Sequence, residues 1–391
     1  MVMIYKNMKK NTITWGVIII ALLIIGRGFY YVNTLNYTKH KNIQANIVNH
    51  PEKLPNSDMA KIGSFGFTNI AADTYWLQTV QYIGSNALGG EYKKYLGVMM
   101  NLITDLNPYF ESPYTIGQLL IPSESGSYED TDNPENLKYY REGEALGLKG
   151  VRNFCDMEKI QAIKNEENIG EIINNPKYAD PCKSYKIPYY LAYIYYFYLK
   201  EEINSAQYYK IVSAQSDAPS GARTLAAIMQ GKGGDREKSL YMFLSLAQNT
   251  QSEDQSCNLL SSELQNIYTG LKLKNIPLKG ELIHEVEIYS QSLLPKLDED
   301  NEQELLSDTE CTNFLAKAVR ELNLMYIEQA DQKYVSDNPE EVSAYSPQKL
   351  LELGYINFIP TDYQQYAGED YGIVYKYSEE TGRFDYEMGN Y

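Results

Sequence analysis

PYYLAYIYYFYLKEEINSAQYYKIVSAQSDAPSGARTLAAIMQGKGGDREKSLYMFLSLAQN, residues 188–249, carries an echo of itself. Tyr196, Lys200, Ser205 and Tyr209 line up with Gln230, Gly234, Ser239 and Phe243, 34 residues further on. A period of that length is one helix–turn–helix unit, which buries its apolar face against a neighbour and therefore stacks. Pro188 opens the first helix, and Pro219 and Gly233-Gly234 supply the turns. The expected fold is mainly α, a solenoid of helical hairpins, and such folds bind partners more often than they do chemistry.

Working outward, Ala72, Trp76, Val80 and Ile83 recur at helical spacing. A second helix runs from about Tyr92 to Asp105 and stops at Asn107-Pro108, and another starts near Pro113. The stretch 122–136 is rich in Ser, Glu, Asp, Gly and Pro and reads as a loop. Helix returns at Leu137–Phe154, and residues 156–186 read as polar and irregular. Beyond Gln251 two helices are expected around Pro277, then an acidic run from Asp298 to Glu304, then one long helix from Cys311 to Tyr334.

The positions on the repeated helices resemble those of tetratricopeptide repeats. They fall on Tyr189, Ala192, Tyr193, Tyr196, Ser205 and Tyr209, and one period later on Arg223, Ala226, Ala227, Gln230, Ser239 and Phe243. Two places depart from the pattern, since Tyr193 stands for a small residue and Gln230 for an aromatic. The resemblance implies a TPR-like solenoid whose first helices line a groove. It makes Tyr189, Tyr193, Tyr196, Arg223 and Gln230 the candidate partner-binding residues. The competing role for the tyrosines, Tyr196 above all, is core.

At the N-terminus Lys6, Lys9 and Lys10 precede the apolar run Ile13–Ile25, followed by Arg27 and the aromatic cluster Phe29–Tyr31. Residues 11–32 are expected to span a membrane once, the lysines keeping the tip cytoplasmic and the bulk of the chain outside the cytoplasm, in the cell envelope or periplasm. A cleaved signal peptide is the rival. The expected organisation is a cytoplasmic tip and transmembrane helix at 1–32, a polar stalk at 33–57, a TPR-like domain at 58–335 and a small α+β tail at 336–391.

Four cysteines, Cys155, Cys182, Cys257 and Cys311, include no CxxC and match no zinc spacing. Outside the cytoplasm they are disulfide candidates. The pairing Cys155 with Cys182 and Cys257 with Cys311 closes the shorter loops, against an alternative of four buried thiols.

In the tail, Pro347–Leu353 reads as a short helix ended by Gly354 and Tyr355–Ile359 as a strand. Tyr371–Tyr377 and Arg383–Tyr386 read as a hairpin around Glu379–Gly382. The segment is similar to the small sheet that ends the pseudopilins of type II secretion. That resemblance raises a structural part in a pilus or secretion assembly as an alternative, with Asp362, Glu369 and Asp370 as calcium ligands by analogy. The chain lacks the prepilin pattern at its N-terminus, and exposed loop carboxylates are the expected state of the three acids.

With 35 basic and 51 acidic residues the net charge is −16, and no basic patch offsets it, so nucleic acid is not an expected partner. The 37 tyrosines suit half-exposed surfaces, although a biased genome explains them equally well. Catalytic groupings are sparse. The histidines are His40, His50 and His284, with no HExxH, GxSxG, Walker loop or GxGxxG, and GKGGD at 231–235 serves as an inter-helix turn. The expectation is a non-enzymatic, membrane-anchored scaffold for a protein or peptide partner, without cofactor, metal or small-molecule substrate. A surface glycan-active enzyme using two carboxylates is the remaining alternative.

Overall fold

A computed structural model describes residues 19–35, 48, 50–86, 92–123, 134–250, 255–274, 278–293, 310–362 and 373–388. The leading lysines, Trp15, residues 36–47 of the expected stalk, the acidic run 298–304, and Glu369 and Asp370 lie outside them. The chain divides into two units, Met1–Pro113 and Tyr114–Tyr391. The division falls inside the stretch read as one repeat domain, and the C-terminal tail belongs to the second unit with the helices before it.

The membrane expectation is corrected. The described part of the N-terminal stretch, residues 19–35, is helical and exposed. Among the described residues no helix is long and apolar enough to cross a membrane, so a single-pass placement is not supported.

In the first unit, α1 (Ser57–Gly63) is capped by Asn56, whose Oδ1 accepts from Met59 N at 2.8 Å. α2 (Thr68–Asn86) and α1 both pack on α3 (Lys93–Leu106). Ala60, Ala72, Leu102, Ile103 and Leu106 form the core, with Tyr75, Trp76 and Phe110 against it. α3 ends where Pro108 forces Asn107 into extended backbone.

In the second unit, α4 (Glu111–Leu120) and α5 (Pro134–Phe154) meet along Gly143, Gly147 and Gly150, one per turn of α5. A Cβ at any of the three would collide with Pro122, Gln118 or Tyr114 on one side and crowd Ile194, Leu191 or Ile187 on the other. Bare backbone there lets two neighbours close on α5 at once. The stretch 156–186, read as irregular, instead holds α6 (Met157–Asn165) and α7 (Ile169–Asn174). Asp156 and Asn168 cap them, and Ile160, Ile163, Ile169 and Ile172 are buried beneath. Cys155 is bonded to Cys182 and Cys257 to Cys311, across 27 and 54 residues.

Two helix pairs follow. α8 (Lys186–Tyr193) continues into a π turn, Ile194–Tyr198, and pairs with α9 (Glu202–Ser213). α10 (Gly221–Lys232) pairs with α11 (Arg236–Asn249), and α9 also packs on α10. The buried set of α9, from Ser205 through Tyr209 to Ser213, recurs on α11 from Ser239 through Phe243 to Ala247, with an offset of 34 at every position. On the first helices Ile187, Leu191, Ala192, Ile194 and Tyr195 recur as Ala222, Ala226, Ala227, Met229 and Gln230, an offset of 35. The π turn absorbs the extra residue: Leu199 N donates to Ile194 O at 3.0 Å, whereas Gly233 N reaches back only to Met229 O at 2.9 Å. Gln230 is therefore the counterpart of Tyr195, not of Tyr196.

α11 packs on α12 (Gln255–Lys274) and on the long α14 (Glu310–Asp337), and α13 (Gly280–Leu293) touches both α12 and α14. α15 (Pro347–Glu352) follows, ended by Gly354 at φ 76°. The strand expected at Tyr355–Ile359 is absent. Side chains of α14 satisfy this segment instead: Tyr326 Oη donates to Asn357 Oδ1 at 2.9 Å and Asn323 Nδ2 to Thr361 O at 3.2 Å. β1 (Ile373–Ser378) and β2 (Arg383–Met388) form the antiparallel hairpin, in register from Ile373↔Met388 to Ser378↔Arg383.

Candidate functional site

α8 and its π turn present a nearly continuous aromatic run because five of the six residues from Tyr193 to Tyr198 carry rings. Its inward members are spent in the core. Tyr195 is buried, donates to Glu144 Oε1 at 2.8 Å and stacks on Tyr208 at 5.6 Å. The outward members group among themselves. Tyr193 stacks on Phe197 at 5.2 Å and meets Tyr198 edge-on, and Tyr198 lies on Tyr140 at 4.9 Å. Phe197 is exposed, and Tyr193, Tyr196 and Tyr198 are half-buried. Tyr189 sits earlier on the helix, half-buried, edge-on to Tyr185, Tyr190 and the buried Tyr209. Burial pushes the Tyr209 hydroxyl well above the usual tyrosine range, as expected of a ring used for packing.

Arg223 occupies a different place. A pocket of about 160 Å³ opens between α7, the start of α10, the end of α11 and the start of α14. Asn174, Ser220, Arg223, Thr224, Asn249 and Asn313 give it polar walls, over Ile173, Leu246 and Phe314. Asn174 Nδ2 donates to Asn249 Oδ1 at 2.7 Å, which ties α7 to α11. Among the described residues no carboxylate lines the pocket, and the Arg223 side chain has no ion-pair or hydrogen-bond partner. A guanidinium set among amides and hydroxyls suits an acidic group.

Gln230 belongs to neither place. It is buried, and its Nε2 donates to Asp235 Oδ2 at 3.0 Å, holding the turn between α10 and α11. Of the five candidates, Tyr193 and Tyr196 share the π-turn region, Tyr189 lies one to two turns before it, Arg223 lines the pocket, and Gln230 is structural. The tyrosines do not line the Arg223 pocket. Asn174, Asn249 and Asn313 carried no signal in the sequence, because three elements far apart in the chain bring them together.

A third polar cluster, between α11, α14 and the hairpin, is largely buried. Arg236 donates to Phe384 O at 2.6 Å and to Glu321 at 3.2 Å, with Glu328 at 3.5 Å and Asp385 at 3.7 Å. Arg320 pairs with Asp362 through two bonds, of 2.6 and 3.1 Å, and Tyr375 Oη donates to the same carboxylate at 3.2 Å. Asp362 is thus a buried ion-pair partner and not an exposed loop carboxylate. Burial pushes the Glu321 carboxyl up to about 7, against the pull of Arg236. Charges packed this closely between three elements hold the hairpin in place.

No family model, curated protein or solved structure matches the chain.

Proposed function

We propose that the protein is a non-enzymatic, TPR-like helical-repeat scaffold that binds a protein or peptide partner. The supporting observation is the recurrence of one burial pattern through two consecutive helix pairs, at 35 on the first helices and 34 on the second. Stacked pairs of this kind bury their inner faces on each other and leave a long outer surface for recognition. On that surface Tyr193 and Phe197 offer flat apolar area, and Arg223, with no ion-pair partner among the described residues, offers a charge for an acidic residue of the partner. The net charge of −16 elsewhere makes that cationic pocket a selective feature.

Selection of displayed random peptides on the full chain tests this directly. Enriched peptides are expected to carry an acidic residue beside an apolar one. Their affinity is expected to fall at least about tenfold on Arg223→Glu and on Tyr193→Ala/Phe197→Ala, a loss of about 1.4 kcal/mol or more, with helical circular dichroism unchanged. Enriched peptides that bind all three proteins equally would remove these residues from any binding role.

A further inference from the structure

We infer that the open face of α1 and α2 is a self-association surface, and that its occupant is a second copy of this chain. The inference concerns the first unit and does not rest on the partner-binding proposal. α2 is apolar on two opposite sides. One side, with Ala72, Tyr75, Trp76, Thr79 and Tyr82, is turned inward, and its Ala72 lies in the core with Leu102, Ile103 and Leu106 of α3. The other side of α2 faces solvent with Ile70, Leu77 and, just before the helix, Phe67; α1 adds Met59 and Ile62, and the turn Phe65. The six are 63–87% exposed, with Phe65 the most exposed of all. The turn between the helices helps display them: Phe65 at φ 51° and Gly66 at φ 88° are both left-handed, with Phe65 and Phe67 standing out on either side. A bulky ring held in that backbone region without burial gains nothing within the monomer.

Three features choose the occupant. The first is spacing. Along α2 the open face reads Phe67, Ile70, Thr74, Leu77, Gln81, alternating steps of three and four. That is the seam one helix offers to another helix, not the broad stripe it offers to a sheet. The second is area. Six large side chains at roughly 100–150 Å² each give about 700 Å² per copy and about 1,400 Å² for a pair, inside the range of stable specific interfaces. A patch of that size is larger than a monomer ordinarily leaves open. The third is charge. A surface that lies on lipid is rimmed with Lys and Arg, whereas this one has a single lysine, Lys61, beside Asp58 and Asp73, all three exposed. Opposite charges on one patch can pair across a two-fold axis, because an isologous interface presents the same patch twice.

Sedimentation velocity on the full chain, with and without Phe67→Ser/Ile70→Ser/Leu77→Ser, gives the first test. The wild type is expected to sediment at twice the monomer mass of 44.8 kDa at micromolar concentration, and the triple variant at the monomer mass with the same helical circular dichroism. A wild type that stays monomeric at 50 times that concentration overturns the inference, as does a triple variant that remains dimeric. Because no free cysteine is present among the described residues, a single introduced thiol gives a second test that needs no loss of apolar surface. Thr74→Cys, in the seam, is expected to form a covalent dimer on mild oxidation, and Asn69→Cys, off the seam, is not. Equal cross-linking of the two overturns the inference. So does a wild type that is monomeric in buffer but is carried down by phosphatidylcholine–phosphatidylglycerol vesicles in a way the triple variant is not.

Discussion

The pair α8–α9 and the pair α10–α11 bury matching positions but differ in what backs them. The first pair rests on α5, through Ile187, Leu191 and Ile194 against the glycines of that helix. The second rests on α14 and receives the C-terminal hairpin. Their turns follow suit. Lys200, at φ 54°, closes the first turn, and Gly234, at φ 92°, closes the second at the equivalent place. A Cβ at Gly234 would run into the Arg383 guanidinium. The second pair is thus shaped by what docks on it, while the first keeps an aromatic π turn turned outward. The lesson is that one repeat can be read as a scaffold element and the other as a display element.

The largest expected difference comes from the two positions that open the second helices. Arg236 is buried among Glu321, Glu328 and Asp385. Its counterpart Glu202 is a half-buried first-turn residue. Arg236→Ala leaves carboxylates buried without their cation, and we predict a loss of about 3–5 kcal/mol. Glu202→Ala should cost less than about 1 kcal/mol, the worth of a first-turn acid. Urea unfolding of both variants decides it, and equal losses would mean that the two pairs are supported alike.

The same cluster makes stability fall with rising pH. Glu321 titrates near 7 when folded, above its value in the unfolded chain, because burial penalises its charge. The folded state therefore holds the extra proton between about pH 4.5 and 7, and its stability declines through that window by roughly 3 kcal/mol. Glu321→Gln should flatten that slope. Melting temperatures across pH 5–8 for the wild type and the variant test it, and an unchanged slope would assign the pH dependence to another group.

How far such contrasts could be read in advance depended on whether a signal was local. The repeat, the long α14 and the terminal hairpin each carry their pattern within one stretch of chain, so periodicity found them. α6 and α7 did not show, because two isoleucines three apart in a helix of nine or six residues are too few to mark a period. The π turn hid behind a single offset, since a comparison at 34 pairs Tyr196 with Gln230 and cannot see one inserted residue. Arg236 and Arg320 carried no signal, because their partners lie between 42 and 149 residues further on. Of the candidate site, Arg223 was legible as a first-helix position of the repeat, but the asparagines around it come from separate elements.

Exchanging the turn residues gives a smaller effect of opposite sign in the two pairs. A left-handed lysine is strained by about 1–2 kcal/mol, part of which glycine loses again through the flexibility of the unfolded chain. We predict that Lys200→Gly stabilises by about 0.5–1 kcal/mol. Gly234→Ala should destabilise by about 2 kcal/mol, from the same strain plus displacement of Arg383. Thermal melts that move both variants in one direction would show that the two turns are not equivalent.

The smallest difference is expected where the two pairs are most alike, at the serines that pin each second helix to its first. Ser205 Oγ donates to Ala192 O and Ser239 Oγ to Ala227 O, both at 2.8 Å and both fully buried. The separations, 13 and 12 residues, differ only by the residue the π turn absorbs. Ser→Ala removes one buried bond in each pair, a loss of about 1 kcal/mol. Because the geometry is the same on both sides, Ser205→Ala and Ser239→Ala should agree to within about 0.5 kcal/mol, and the double variant should show the sum. A marked excess in the double variant would mean that the pairs couple through the α9–α10 contact, in which case neither repeat could be treated as a unit of its own.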